Sequence, residues 1–460
     1  MGNEGVRYDS IVIGSGQGGN PLCQQLASRG ERVALIESHH LGGTCINTGC
    51  TPTKTMVASA QVAHYVRKAS RWGVHANDPT VDLTAVVRRK NEVVEKFRSG
   101  WKHKFENEAK ITLYRGAAQF VGSKQLQVGK DRLEASRIFI DTGAKPAIPH
   151  LLGLESVPYL TNETILDLEN LPEHLLILGG GYVGLEFGQM FLRFGSRVTV
   201  LQSAAQILPR EDTDIAAELH KSLEAEGLKI VLNTRATRVT EKDGSVTIEA
   251  NLNGEPVSFV GSHLLIAAGR APNTSPLNLE KTGVKTNQKG FIVVNDRLET
   301  TAEGIWALGD VNGGPAFTHI SYNDYQIIYA NLFDGKNLST SSRLVPYAVY
   351  TDPTLGRVGM TEKEARRKGV KLKIGKVPMT NVARAIERSE TDGVMKLVVD
   401  ANNDRILGGA ILAVEGGELV QVLSTLMLAE KPYTLLKGAI YIHPTLTEGF
   451  FGLMESVQPV

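Results

Sequence analysis

One pattern occurs twice in this chain and constrains its fold more than any other: a short apolar strand running straight into G-x-G-x-x-G. In "YDSIVIGSGQGG" the strand Ile11 to Ile13 leads into Gly14, Gly16 and Gly19. In "HLLILGGGYVGLEFG" the strand Leu175 to Leu178 leads into Gly179, Gly181 and Gly184. A helical stretch follows each, then a second strand, "RVALIE" or "SRVTVLQ". In such a unit the glycines let backbone approach a pyrophosphate, and the helix N-terminus offers it free N–H groups and a positive dipole end. A single match is weak, but two independent ones make chance a poor explanation. The sequence therefore predicts an α/β protein with two Rossmann-like dinucleotide-binding folds.

The second strands differ where it matters. The first ends in Glu37, the acid that holds a ribose 2′-hydroxyl; the matching position of the second copy is Gln202. Losing that carboxylate removes the repulsion of a 2′-phosphate, so the second site leans to NADPH over NADH. Arg210 could supply a counter-charge, although an arginine beside two acids is more often a solvated surface residue. Each copy is followed by a strand ending in a glycine turn, "RIFIDTGAKPAIP" around Gly143 and "HLLIAAGRAPNT" around Gly269 and Arg270, which read as returns to the parent sheet. Residues 82–109 read as one long charged helix, and the alternating strands after residue 340 as a separate α+β domain. At 460 residues the chain is too long for one core, and about three domains are expected.

The segment "GGTCINTGCTPTK" carries two of only three cysteines. Three thiols cannot make a disulfide scaffold for a chain of this length, and zinc would need two further ligands that no second CxxC or spaced histidine pair supplies. The pair should therefore do chemistry. On a regular helix Cys45 and Cys50 would point about 140° apart. Disulfide geometry needs Cα atoms within roughly 7 Å, so the segment must bend, at Asn47 and Gly49. Thr51 and Pro52 read as N-cap and first helical residue. Cys50 then sits at a helix N-terminus, where its thiolate is favoured, and Lys54 falls one turn in. Cys23, in an apolar pattern, reads as a small buried hydrophobe.

Fifty basic residues against 49 acidic ones produce no global field for nucleic acid or an anionic membrane. No apolar run reaches the roughly 18 residues of a bilayer span, and the polar lead-in carries no secretion signal. A cytoplasmic protein is expected.

Together, the two fingerprints, "GGTCINTGCTPTK", "TAEGIWALGDV" and "HPTLTEG" resemble the FAD-dependent pyridine nucleotide-disulfide oxidoreductases over nearly the whole chain. The resemblance implies residues 1–150 as FAD domain, 151–275 as NAD(P)H domain, 276–343 as a central domain completing the FAD site and 344–460 as the interface domain of a homodimer. It makes Cys50 the charge-transfer thiol beside the flavin and Cys45 the interchange thiol. Lys54 looks like the lysine near flavin N5, ion-paired with Glu186. Tyr182 matches an aromatic gate over the flavin, and Asp310 the aspartate of the ribityl chain. Thr44 and the backbone around Ala117 fall among the flavin-contacting positions.

His443 and Glu448, in "YIHPTLTEG", have the chemistry of a proton shuttle and the carboxylate that orients it. Alone, an HP dipeptide is usually a turn; by resemblance this pair reaches into the partner subunit's thiol site. The implied reaction carries electrons from NAD(P)H through FAD to the Cys45–Cys50 disulfide, then to an oxidised acceptor. The wording around the thiols, "FTHISYNDYQII" and "VARAIERSETDGVMKLVVD" look like the mercuric reductase branch, so the acceptor is expected to be a small disulfide or a soft metal ion such as Hg(II) or Cu(II). The C-terminal "FFGLMESVQPV" lacks the vicinal cysteines of a true mercuric reductase. Dihydrolipoamide dehydrogenase is the alternative, and a redox-sensing flavoprotein with little turnover the alternative of another class.

Overall fold

The computed structural model describes residues 5–460. The chain divides into two compact units. The first comprises the chain up to Thr55 with Ala85–Ala147 and Gly269–Arg343; the second comprises Met56–Thr84, Ile148–Ala268 and Leu344–Val460.

In the first unit, Val6–Ile13 pairs in parallel with Val33–Glu37 on one side and Asp131–Ile140 on the other. Ile111–Arg115 extends this sheet in parallel beyond Val33–Glu37, and Ile305–Ala307 joins it beside Asp131–Ile140. The Val33–Glu37 strand, "VALIE", is buried at every position, as expected where helices cover both faces of a parallel sheet. Register places Ile13 opposite both Ile36 and Ile140. Gly14, Glu37 and Asp141 therefore emerge side by side at the carboxyl ends of three adjacent strands, where an open α/β sheet binds its ligand. The charged stretch of the sequence is a helix, Leu83–Glu106.

Gly269 and Arg270, read from sequence as the end of the second nucleotide fold, belong to the first unit. The reason is a short antiparallel pairing of Arg270–Pro272 with Ala144–Pro146.

The second unit repeats the βαβ arrangement with a smaller parallel sheet, ordered Lys229–Val231, Arg197–Leu201, His174–Leu178, His263–Ile266. An antiparallel meander of Thr234–Lys242, Ser245–Leu252 and Glu255–Gly261 follows the nucleotide fold. The C-terminal part is a six-stranded antiparallel sheet, with Gly416–Leu428 packed on it. A buried charge network ties this sheet to the nucleotide fold. Arg357, 1% exposed, bonds Glu211 and Asp212, and Lys396 bonds Asp214 and Glu362 at 2.9 and 2.8 Å. Buried charges persist only when paired in this way. Among the described residues no helix is long and apolar enough to cross a membrane.

Candidate active site

The two glycine turns are built alike. A Cβ on Gly14 or Gly179 would lie 2.2 or 2.4 Å from the carbonyl oxygen of Asp141 or Ala267, and both glycines have positive φ, +102° and +118°. Gly19 and Gly184 press equally close on the carbonyls of Gly14 and Gly179. The middle glycines differ. Gly16 is enclosed, with Asp141 Oδ2 at 2.6 Å from its hypothetical Cβ, whereas a Cβ on Gly181 would meet nothing within 4 Å. Gly181 caps the helix Tyr182–Phe194, so that open space faces the free N–H groups of a helix start, where a pyrophosphate fits.

Glu37 and Gln202 hold their turns from equivalent places. Glu37 accepts the Ser15 N–H at 3.0 Å, the Ser15 hydroxyl at 2.6 Å and the His39 N–H at 2.7 Å. Gln202 Oε1 accepts the Gly180 N–H at 3.3 Å. Both side chains are nearly buried, one charged and the other neutral. Arg210 is exposed. Ala117 follows Gly116, whose N–H bonds the Glu37 carbonyl at 2.9 Å, which brings this backbone to the ribose end of the first turn.

The thiol segment is fastened onto that same turn. Gly42 N–H donates to the Ser15 carbonyl at 3.0 Å, and Gln17 Nε2 to the Gly42 carbonyl at 3.1 Å. A Cβ on Gly43 would lie 2.8 Å from the Gly16 Cα. The bend between the cysteines is a break between helices: Gly43–Asn47 ends at Thr48, and a new helix, Cys50–Lys68, starts at Cys50 itself, so Thr51 is no N-cap. Gly49 serves by close approach, since its Cβ would meet the Thr44 carbonyl at 2.8 Å. Asn47 stays helical and works through its amide, which donates to the Gly43 and Leu41 carbonyls at 2.9 and 3.0 Å.

Cys23, Cys45 and Cys50 are free thiols. Cys45 and Cys50 are within hydrogen-bonding reach of each other, and Thr318 Oγ1 lies 3.2 Å from Cys50 Sγ. The bond from Cys45 lowers the Cys50 thiol to about 6; the Thr318 hydroxyl and the Lys54 ammonium assist, against partial desolvation. Cys45 moves the other way, because its proton is given to Cys50 and because it is half-buried. Burial pushes the Cys23 thiol up as well, so it takes no part in exchange.

Two carboxylates that sequence reasoning passed over, Asp141 and Asp324, line the first site beside Asp310. Asp141 Oδ2 accepts the Gly19 N–H at 2.7 Å, and Asp324 accepts the Gly309 N–H at 2.9 Å while paired with Arg343. Asp310 lies 4.0 Å from Arg270, and burial raises its pKa. Burial, reinforced by Asp310 and Asp324, holds the Asp141 carboxyl well above its usual range despite the bond from Gly19. A raised folded-state pKa means that the native protein keeps a proton the unfolded chain has released, so this site's contribution falls as pH rises from about 4. Asp141→Asn should therefore lose less thermal stability than wild type as pH rises above about 4. Scanning calorimetry over that range measures the difference, and parallel curves for variant and wild type would show Asp141 ionised.

FAD fits this end of the sheet. The Thr142 hydroxyl, next to the Gly14 turn, is buried without a partner, as are both polar atoms of Asn20 in the first turn of the Gly19–Ser28 helix. Gly143, at φ +67°, leaves open space beside them.

In the second unit, Tyr182 stands at a helix start, 37% exposed, and Glu186, one turn on, accepts the Tyr350 N–H at 2.9 Å. His443 Nδ1 bonds both Glu448 oxygens, at 2.9 and 3.1 Å. That bond fixes Nδ1 as the donor and frees Nε2, with the imidazole well exposed. Around it Leu435, Ile440 and Ile442 are exposed apolar residues. Among the described residues no cluster of three His, Cys, Asp or Glu side chains could hold a metal ion.

Comparison with known proteins agrees with this geometry. Residues 8–324 match the model of the pyridine nucleotide-disulphide oxidoreductases, and residues 345–452 that family's dimerisation domain. The probable pyridine nucleotide-disulfide oxidoreductase RclA of Escherichia coli is 38% identical over 98% of this chain and 100% of its own. The solved structure of that protein, an HOCl-induced flavoprotein disulfide reductase, superposes with a TM-score of 0.90 over 98% of this chain and 100% of that one, and its Cu(II) complex with the same score. A dihydrolipoyl dehydrogenase of Thermus scotoductus is 37% identical, covering 98% of this chain and 97% of that one. A mercuric reductase of Lysinibacillus sphaericus is 34% identical, covering 91% and 76%.

Proposed function

The chain belongs to the pyridine nucleotide-disulphide oxidoreductase family, whose members use FAD and NAD(P)H, and from that premise we propose that it is an NAD(P)H-dependent reductase of small disulfides or soft metal ions. The observation that carries this reading is the attachment of the thiol segment to the first dinucleotide turn, with the Cys50 thiol lowered to about 6. We assign 1–150 and 269–343 to the flavin, 151–268 to the nicotinamide and 344–460 to the dimer interface.

FAD, when bound, supplies the chemistry that turns a hydride into an electron pair a disulfide can take. Gly14, Gly16, Gly19, Thr142 and Asn20 hold the pyrophosphate end, Glu37 and Ala117 the ribose end, and Asp310 the ribityl chain, with Thr44 and Lys54 on the thiol side. Gly179, Gly181 and Gly184 with Gln202 receive NAD(P)H. Tyr182 and Glu186 stand on the helix that follows.

Nε2 of His443 of the partner subunit takes the proton of Cys45, the Cys45 thiolate attacks the acceptor disulfide to form a mixed disulfide, and the released thiolate takes that proton from Nε2. Cys50 thiolate then attacks Cys45 Sγ, closing the Cys45–Cys50 bond and expelling the second thiolate. With a soft ion the two thiolates are the ligands, and the dithiol provides two electrons, enough for one Hg(II) or two Cu(II). The Cu(II) complex of the 38% identical RclA supports copper over mercury here.

Gln202 favours NADPH. Steady-state oxidation of NADPH and NADH against a panel of small disulfides, Cu(II), Hg(II) and lipoamide checks the reading. Turnover of a disulfide or Cu(II) at several-fold higher kcat/KM with NADPH is expected. NAD-dependent oxidation of dihydrolipoamide as the best reaction would instead support the dehydrogenase reading, which the 37% identical relative keeps in play. A single stoichiometric reduction without turnover would leave only a redox sensor.

A further inference from the structure

Cys50 receives a hydroxyl from far along the chain. Thr318 opens the helix Thr318–Phe333, 268 residues after Cys50, and its Oγ1 lies 3.2 Å from Cys50 Sγ. The N-cap of that helix is Phe317, whose side chain offers no cap. We propose that Thr318 is a positioning residue of the redox pair, whose hydroxyl donates to Cys50 Sγ and so keeps the negative charge on Cys50 and the proton on Cys45 in the reduced enzyme. The inference rests on Cys45 and Cys50 being the redox pair assigned above.

A threonine hydroxyl has one proton to donate. Between two sulfurs that share one proton, the charged sulfur is the better acceptor, and a bond to a charged partner is about twice as strong as a neutral one. The hydroxyl alone would follow the charge to either sulfur; its surroundings choose Cys50. Cys50 is the first residue of its helix and Thr318 the first of another, so the positive ends of two helices converge on this sulfur. Cys45 belongs to a five-residue helix that ends two residues later, where the dipole disfavours charge. The Thr318 hydroxyl and the Lys54 ammonium favour negative charge on either sulfur, so the choice between the two falls to the helix ends.

Asymmetry of this kind separates the tasks of the two sulfurs. Cys45, protonated at rest, becomes a nucleophile only when a base takes its proton. Cys50 is a thiolate from the start and is ready to attack Cys45 Sγ, expelling the substrate thiolate from the mixed disulfide. Because a less basic thiolate is also a weaker nucleophile, losing Thr318 should move the pH dependence more than the maximal rate.

The experiment uses reduced, FAD-loaded wild type, Thr318→Val and Thr318→Ser. Two quantities are followed from about pH 4 to pH 9: the long-wavelength absorbance due to the Cys50 thiolate, and the partition of iodoacetamide between the Cys45 and Cys50 peptides by mass spectrometry. Thr318→Val should move both midpoints up by about one pH unit, roughly a tenfold fall in thiolate below the midpoint, and Thr318→Ser should stay close to wild type. A Val variant titrating like wild type overturns the proposal, as does a Ser variant displaced as far as Val. Should Val fail to retain FAD, Thr318→Ala is judged by the same two midpoints. A wild-type enzyme with no long-wavelength absorbance and equal labelling at both cysteines would refute the redox-pair reading itself; normal wild-type behaviour with an unmoved Val variant removes only the role of Thr318.

Discussion

Cys50→Ser should abolish the long-wavelength absorbance of the reduced enzyme and lower turnover with disulfides by about 10³-fold or more, while FAD stays bound. The size follows from what the sulfur has to do. A hydroxyl of ordinary acidity carries almost no negative charge at neutral pH and cannot close a bond to Cys45 Sγ, so the mixed disulfide has no intramolecular exit. The thiol it replaces is lowered to about 6 and is mostly ionised under the same conditions. FAD retention should survive because the groups fitting the cofactor, Thr142, Asn20 and the Gly14 turn, lie on other elements. Stopped-flow reduction followed by turnover measures both effects. Activity within tenfold of wild type would mean that acceptors draw electrons without the pair.

The second large effect concerns His443. Its Nδ1 is occupied by Glu448, so the proton needed by a departing thiolate has to come from Nε2. His443→Gln should cost about 10²–10⁴ in kcat with disulfide acceptors. If that imidazole serves the opposite subunit, two dead variants can make a live enzyme. Unfolding and refolding an equal mixture of Cys45→Ser and His443→Gln chains should restore about a quarter of wild-type activity, since half the dimers are hybrid and each hybrid has one intact site of two. No recovery, with hybrid dimers present by native mass spectrometry, would place the histidine and the thiols of one site on the same chain.

What the sequence revealed of this site was whatever lies close together along the chain. The two glycine turns, Cys45 with Cys50, and His443 with Glu448 are spaced by a few residues, and their spacing states their chemistry. Glu37 was legible because a βαβ unit has a regular length. Thr318 was not, because its partnership with Cys50 exists only after 268 residues of folding, and a threonine opening a helix has an ordinary explanation. Asp141 offered a signal that was available: an acid directly after an apolar strand, in "RIFIDTG", falls at the carboxyl end of a parallel sheet. Arg270 was misplaced for a similar reason, since the short strand pairing that puts it in the first unit links segments that lie far apart in sequence. At the thiols the bend was foreseen but not its means, which are the amide of Asn47 and the missing Cβ of Gly49.

The glycines of the second turn answer to different masters. Gly179 and Gly184 are hemmed in by the chain's own carbonyls, so any drift there is punished when the polypeptide first collapses, with or without a nucleotide in the cell. Gly181 faces emptiness, and only a visiting molecule enforces it. A lineage that abandoned nicotinamide while keeping its shape would be free to lose this glycine first, leaving the other two as relics of the ancestral turn.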